Sequence, residues 1–106
     1  RHVGTGAPVS APRAAVPSQH TGAGVDAIRA IICAPEFTWD CDWALATVAC
    51  ESSGSPSAQG REGVYVFNGW WQILNGPFDP YLNTVEAHIQ YVQHIRGERG
   101  DPWPNC

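Results

Sequence analysis

The sequence predicts a mostly helical α+β domain with a small β-hairpin, two disulfides and an extended N-terminal arm. Segments around 25–33, 40–53 and 83–96 carry apolar residues at helical spacing. The run Val64-Tyr65-Val66-Phe67 is β-branched and aromatic, and Asn68-Gly69 follows it. That pair is the strongest two-residue hairpin signal, because a type I′ turn needs positive φ at both positions. Four cysteines in a chain of 106 residues point to staples that supplement a small core.

Residues 1–23 are mostly Ala, Pro, Gly, Ser, Thr and Val, and Val3, Val9 and Val16 are their only larger aliphatics. So little apolar surface cannot offset the entropy of ordering, so this segment does not fold alone. The segment reads either as a flexible linker or, since prolines and spaced valines suit an extended strand, as an arm laid on its own domain or on a neighbouring copy of the chain. Residues 24–106 form the single domain that this length allows.

Within the domain, Val25, Ile28, Ile31 and Ile32 make the stripe of a first helix that Pro35 stops. Asp40 is placed to cap a second helix, on which Leu45, Val48, Ala49 and Ser52 recur at helical spacing. Gly54 and Pro56 end it. Trp39 and Trp43 flank the cap and are expected to pack as a pair. Residues 54–63 read as a polar loop. Val64–Phe67 is a strand, Asn68-Gly69 the turn, and Trp70–Leu74 the return strand or an irregular entry to a helix. Asn83-Thr84-Val85-Glu86 resembles a capping box, and the helix it opens runs to Gly97. His88 and His94 are not four apart, lack the His-x-x-x-His spacing of a metal pair, and read as surface histidines.

Cys33, Cys41, Cys50 and Cys106 show no C-x-x-C spacing, so no metal is expected, and two disulfides are. Cys41 and Cys50 on one helix lie about 13 Å apart along its axis. Bridged Cα atoms come within about 7 Å, so these two do not bond to each other. Two pairings remain, 33–41 with 50–106 or 33–50 with 41–106. The first is preferred because it closes a short loop and ties the C-terminus beside Glu51. Disulfides point to an oxidising, extracellular or cell-surface location. The absence of Met and the start at Arg1 read as loss of a secretory leader. The net charge is −4, with Arg the only basic residue type besides His. Nucleic acid is therefore not an expected partner, and no apolar run is long enough to span a membrane.

Glu51 stands out chemically. It falls in the last turn of the second helix among small and apolar neighbours. The negative end of the helix dipole and partial burial both favour its protonated form, which suits a general acid. A solvated Glu at a helix end is the ordinary alternative.

Around Glu51 the residues resemble a known pattern. Cys50-Glu51-Ser52 is followed by Pro56-Ser57-Ala58, then Gly69-Trp70-Trp71-Gln72-Ile73, then Phe78-Asp79-Pro80-Tyr81-Leu82-Asn83, and finally Trp103-Pro104-Asn105-Cys106. In this order they resemble the lysozyme-like superfamily, specifically the small secreted soluble lytic transglycosylase-type domains, over about 25–106. The resemblance implies a mostly helical domain whose cleft faces a small β element. It implies that Glu51 protonates the glycosidic oxygen between N-acetylmuramic acid and N-acetylglucosamine in peptidoglycan. It implies further that Ser52, Tyr65, Trp70, Trp71 and Gln72 line the sugar site, with no cofactor. The substrate's own N-acetyl group can assist, which fits a chain with no clear partner carboxylate at the spacing a paired mechanism needs. The family usually carries Gly-Leu-Phe-Gln or Gly-Leu-Met-Gln, where this chain has two tryptophans. Those rings suit the flat faces of pyranoses, and could equally fill the cleft or dock a neighbour. The acidic charge, the arm and the Trp pair also fit a different protein. That protein is a lysozyme-like building block of an extracellular filament, with residues 1–23 docking on the next subunit.

Overall fold

A computed structural model describes residues 25–106. The arm expected over 1–23 lies outside the described residues. Along the chain the elements are α1 (Val25–Ile32), α2 (Cys41–Ser52), β1 (Gln59–Glu62), β2 (Tyr65–Asn68), β3 (Ile73–Leu74) and α3 (Pro80–Ile95). The result is a small α+β fold, with three helices and one antiparallel sheet in the order β1-β2-β3.

α1 buries Ile28 and Ile32, four residues apart on one face. The carbonyl of Ile32, in the last turn, accepts a bond from the indole N–H of Trp39 at 2.9 Å. The Cys33–Cys41 disulfide then joins the end of α1 to the start of α2, with Cα atoms 5.2 Å apart. Asp40 caps α2, its Oδ1 accepting from the Trp43 backbone N–H at 2.8 Å.

The buried residues of α2 are Ala44, Thr47, Val48, Glu51 and Ser52. Leu45 and Ala49, expected on that stripe, are half-buried instead. The buried face includes Thr47 because its hydroxyl donates to Trp43 O, 2.8 Å away within the helix, so burial leaves no polar group unmet. Ser53 ends the helix in the left-handed region, φ 55°, with its N–H on Ala49 O.

The hairpin turn is not at Asn68-Gly69. Gly63 and Val64 form the two-residue connection, and the register runs Glu62↔Tyr65 to Gln59↔Asn68. Gly63 supplies the positive φ that this turn needs, and Val64 belongs to the turn rather than the strand. Part of the expected polar loop is therefore strand β1. Asn68 stays in the sheet, paired with Gln59 on one side and Ile73 on the other. Its amide bonds Gln59 Nε2 and Gly76 O. The return strand shrinks to Ile73–Leu74, because Gly69–Gln72 form a turn closed by Gln72 N on Gly69 O.

α3 begins before the expected capping box. Asp79 is the cap, accepting from Leu82 N at 3.0 Å, and Pro80 opens the helix without needing an N–H partner. Asn83 lies inside the first turn. Its side chain, freed from capping, is fully buried. At the far end the N–H groups of Gly97 and Glu98 bond His94 O and Gln93 O, a Schellman closure with Gly97 at φ 78°.

The core between these elements is aromatic. Trp71 stacks on Trp39 with centroids 4.5 Å apart and meets Trp103 at 4.9 Å. Trp39 and Trp43 also pack, at 6.1 Å. The buried indole N–H groups of Trp39, Trp70, Trp71 and Trp103 reach Ile32 O, Gly54 O, Thr84 Oγ1 and Trp71 O respectively. Large rings with satisfied N–H groups make a stable core out of few residues. The Cys50–Cys106 disulfide, Cα atoms 5.9 Å apart, holds the tail that carries Trp103.

Candidate functional site

Glu51 sits in the last turn of α2 and is 1% exposed. Cys50, one residue earlier, anchors the C-terminus. Ser52, one residue later, is buried, and its hydroxyl donates to Val48 O at 3.0 Å within the same helix. As arranged, that hydroxyl serves the helix end.

The chain leaving Glu51 is laced to the Gly69–Gln72 turn. Trp70 Nε1 donates to Gly54 O at 3.1 Å. Ala58 O accepts from Gly69 N at 2.8 Å and from Gln72 Nε2 at 3.2 Å. Gln72 Nε2 also donates to Gly69 O at 3.0 Å. These bonds bring the Glu-Ser…Pro-x-Ala segment and the Gly-Trp-Trp-Gln segment, separate in sequence, side by side in the fold.

The two tryptophans are core. Trp70 is 1% exposed and Trp71 0%, so neither offers a ring face for a sugar or a surface for a neighbouring subunit. They turn inward because their indole N–H groups find Gly54 O and Thr84 Oγ1 there, and because Trp39 and Trp103 stack on Trp71. Gln72 is buried as well, in the left-handed region at φ 51°. Tyr65 is exposed, but it lies at the Gly63-Val64 end of β2, away from the Gly69–Gln72 turn.

His88 is not a free surface residue. Its ring packs against Phe37, Trp39 and Tyr91, with centroids 5.2, 5.1 and 6.1 Å away. Its Nε2 lies 3.1 Å from Thr38 N, which donates to it. Desolvation holds its pKa below the usual histidine value. His94 Nδ1 lies 3.2 Å from Arg99 O, near the end of α3. Among the described residues, no group of three or more His, Cys, Asp or Glu side chains could hold a metal ion. No helix among them is long and apolar enough to cross a membrane.

Sequence reasoning missed the structural weight of Asn68 and Asn83. It read the first as a turn residue and the second as a cap. The Asp79-Pro80 pair carried the signal, since Asp at a cap followed by Pro at the first helical position marks a helix start and places Asn83 inside. Comparison of the chain with protein-family models, curated proteins and solved structures finds no match in any of the three. The fold and site together define a small, disulfide-stapled α+β domain built around a buried helix-end carboxyl.

Proposed function

We propose that this domain is a secreted, lysozyme-like glycosidase or lytic transglycosylase that acts on peptidoglycan, with Glu51 as general acid and base. One observation carries the reading. A glutamate buried at a helix end is followed by a segment hydrogen-bonded to a Gly-aromatic-aromatic-Gln turn. This juxtaposition supports the reading, in which Glu51 is the acid and Gln72 lines the sugar site. The two disulfides fit export to an oxidising compartment.

In this reading the Glu51 carboxyl gives its proton to the glycosidic oxygen as the bond to C1 breaks. The substrate's N-acetyl oxygen supports C1, so no second carboxylate is needed. The Glu51 carboxylate then takes the proton of the hydroxyl or water that captures C1. At 1% exposure Glu51 meets a glycosidic oxygen only after whatever covers it gives way, so an opening step precedes chemistry. Gln72 is as buried as the two tryptophans, so in this reading its side chain, the polar one of the Gly-Trp-Trp-Gln turn, meets sugar only after the same opening step. The filament alternative keeps only the arm, which lies outside the described residues, and the acidic charge; its exposed Trp pair is gone.

The test is digestion of purified peptidoglycan, with mass spectrometry of the muropeptides released by the wild-type chain and by Glu51→Gln. Release by the wild type alone supports the proposal. No release by either, or equal release by both, overturns it.

A further inference from the structure

We propose that Asn83 is a positioning residue that fixes Gln72 of the candidate site through the backbone of the Gly69–Gln72 turn. The consequence for catalysis rests on the glycosidase reading above; the placement of Gln72 does not.

Asn83 is wholly buried in the first turn of α3. Its amide makes three hydrogen bonds, all at 2.8 Å. Oδ1 accepts from Trp71 N, and Nδ2 donates to Asn68 O and to Pro77 O. Both amide hydrogens are therefore committed. The three partners bracket the turn, since Asn68 precedes it, Trp71 lies inside it and Pro77 follows β3. Gly69 lets the amide approach. A Cβ built on Gly69 would lie 2.7 Å from Asn83 Cγ, closer than real side chains come.

This turn needs holding. Gln72 is a non-glycine residue at φ 51°, a strained conformation that persists only where surroundings enforce it. The Gln72 side chain depends on the same frame. Its Nε2 donates to Gly69 O and Ala58 O, and Ala58 O also receives Gly69 N. With both amide hydrogens spent on the backbone, Gln72 can offer a ligand only its Oε1 acceptor. Where that acceptor points follows from where the turn sits, and Asn83 sets the turn. A ligand hydroxyl or amide N–H is the group it would take.

The experiment pairs nuclear magnetic resonance of the Gln72 side-chain amide with kinetics on soluble muropeptides, for Asn83→Ala and Asn83→Asp. Asn83→Asp keeps the Oδ1 acceptor and the size but loses both donors, so it stays informative if Asn83→Ala does not fold. In the wild type the Gln72 amide should give two separated, exchange-protected proton signals. In the folded variants they should collapse toward free glutamine, and kcat/KM should fall by about tenfold to a hundredfold, the scale of a small misplacement. Unchanged Gln72 signals in a folded variant overturn the proposal, as does unchanged kcat/KM with an active wild type. An inactive wild type refutes the glycosidase reading alone, and the amide signals then decide the placement.

Discussion

Replacing Gly69 with alanine isolates the packing at the centre of the fold, and Gly63 provides an internal control. Both glycines have positive φ, 82° and 62°. An L-residue there costs about 1–2 kcal/mol from backbone strain. At Gly63 that is all, because nothing lies within 4 Å of an added Cβ. At Gly69 the Cβ would meet Asn83 Cγ at 2.7 Å and Oδ1 at 3.0 Å. Asn83 cannot step aside cheaply, since it is fully buried and held by its bonds to Trp71, Asn68 and Pro77. Moving it strands at least one buried polar group, a further cost of about 1–3 kcal/mol. Gly69→Ala should therefore cost about 2–5 kcal/mol, a large share of the ~5–15 kcal/mol that a domain has. Urea denaturation should show Gly69→Ala lowering the midpoint further than Gly63→Ala, by the equivalent of about 1–3 kcal/mol. In the Asn83→Ala background the extra cost should vanish, leaving the strain alone. Equal midpoint shifts for the two glycines, or an unchanged cost in that background, would refute the reasoning.

The two disulfides close loops of very different length, with separations of 56 residues for Cys50–Cys106 and 8 for Cys33–Cys41. Chain entropy makes them worth about 4 and about 2.5 kcal/mol, so the Cys50→Ser/Cys106→Ser double variant should have the lower urea midpoint, and the reverse order would contradict this account. His88 predicts a pH effect. Its pKa in the folded chain lies below the ordinary 6.5, so the unfolded chain takes up the proton first as pH falls. The stability tied to the neutral ring is present above 6.5 and is lost as pH drops through the folded value. Protonation of Nε2 also removes the acceptor for Thr38 N. Between about pH 7.5 and about pH 5 the wild type should lose more stability in urea titrations than His88→Gln does, and parallel losses would argue against the assignment.

Helices were legible in the sequence where local chemistry sufficed. Asp40 and Gly97 marked helix ends because capping depends on neighbours only a few residues away. Registers that depend on distant partners were not legible. Asn68-Gly69 is a strong turn signal by itself, yet Gly63-Val64 takes the tight turn and Asn68 pairs with Gln59 and Ile73. The exposure of Trp70 and Trp71 could not be read either. It depends on Thr84, Trp39 and Trp103, brought from three other segments. Asn83 was hidden for a related reason. The capping-box pattern is local, whereas its real partners lie on the Gly69–Gln72 turn and its flanks. For the candidate site, the sequence pointed to Glu51 through its place at a helix end. Its depth of burial and the bonds lacing Gly54 and Ala58 to Trp70 and Gln72 required the fold.

The most direct test of the account is the product spectrum from purified peptidoglycan treated with the wild-type chain beside Glu51→Gln. The substitution keeps the size of the side chain and removes its acid. The account predicts muropeptides released by the wild type and none above background by a Glu51→Gln protein with a native circular dichroism spectrum. Equal release by the two proteins, or none by the wild type, would contradict it.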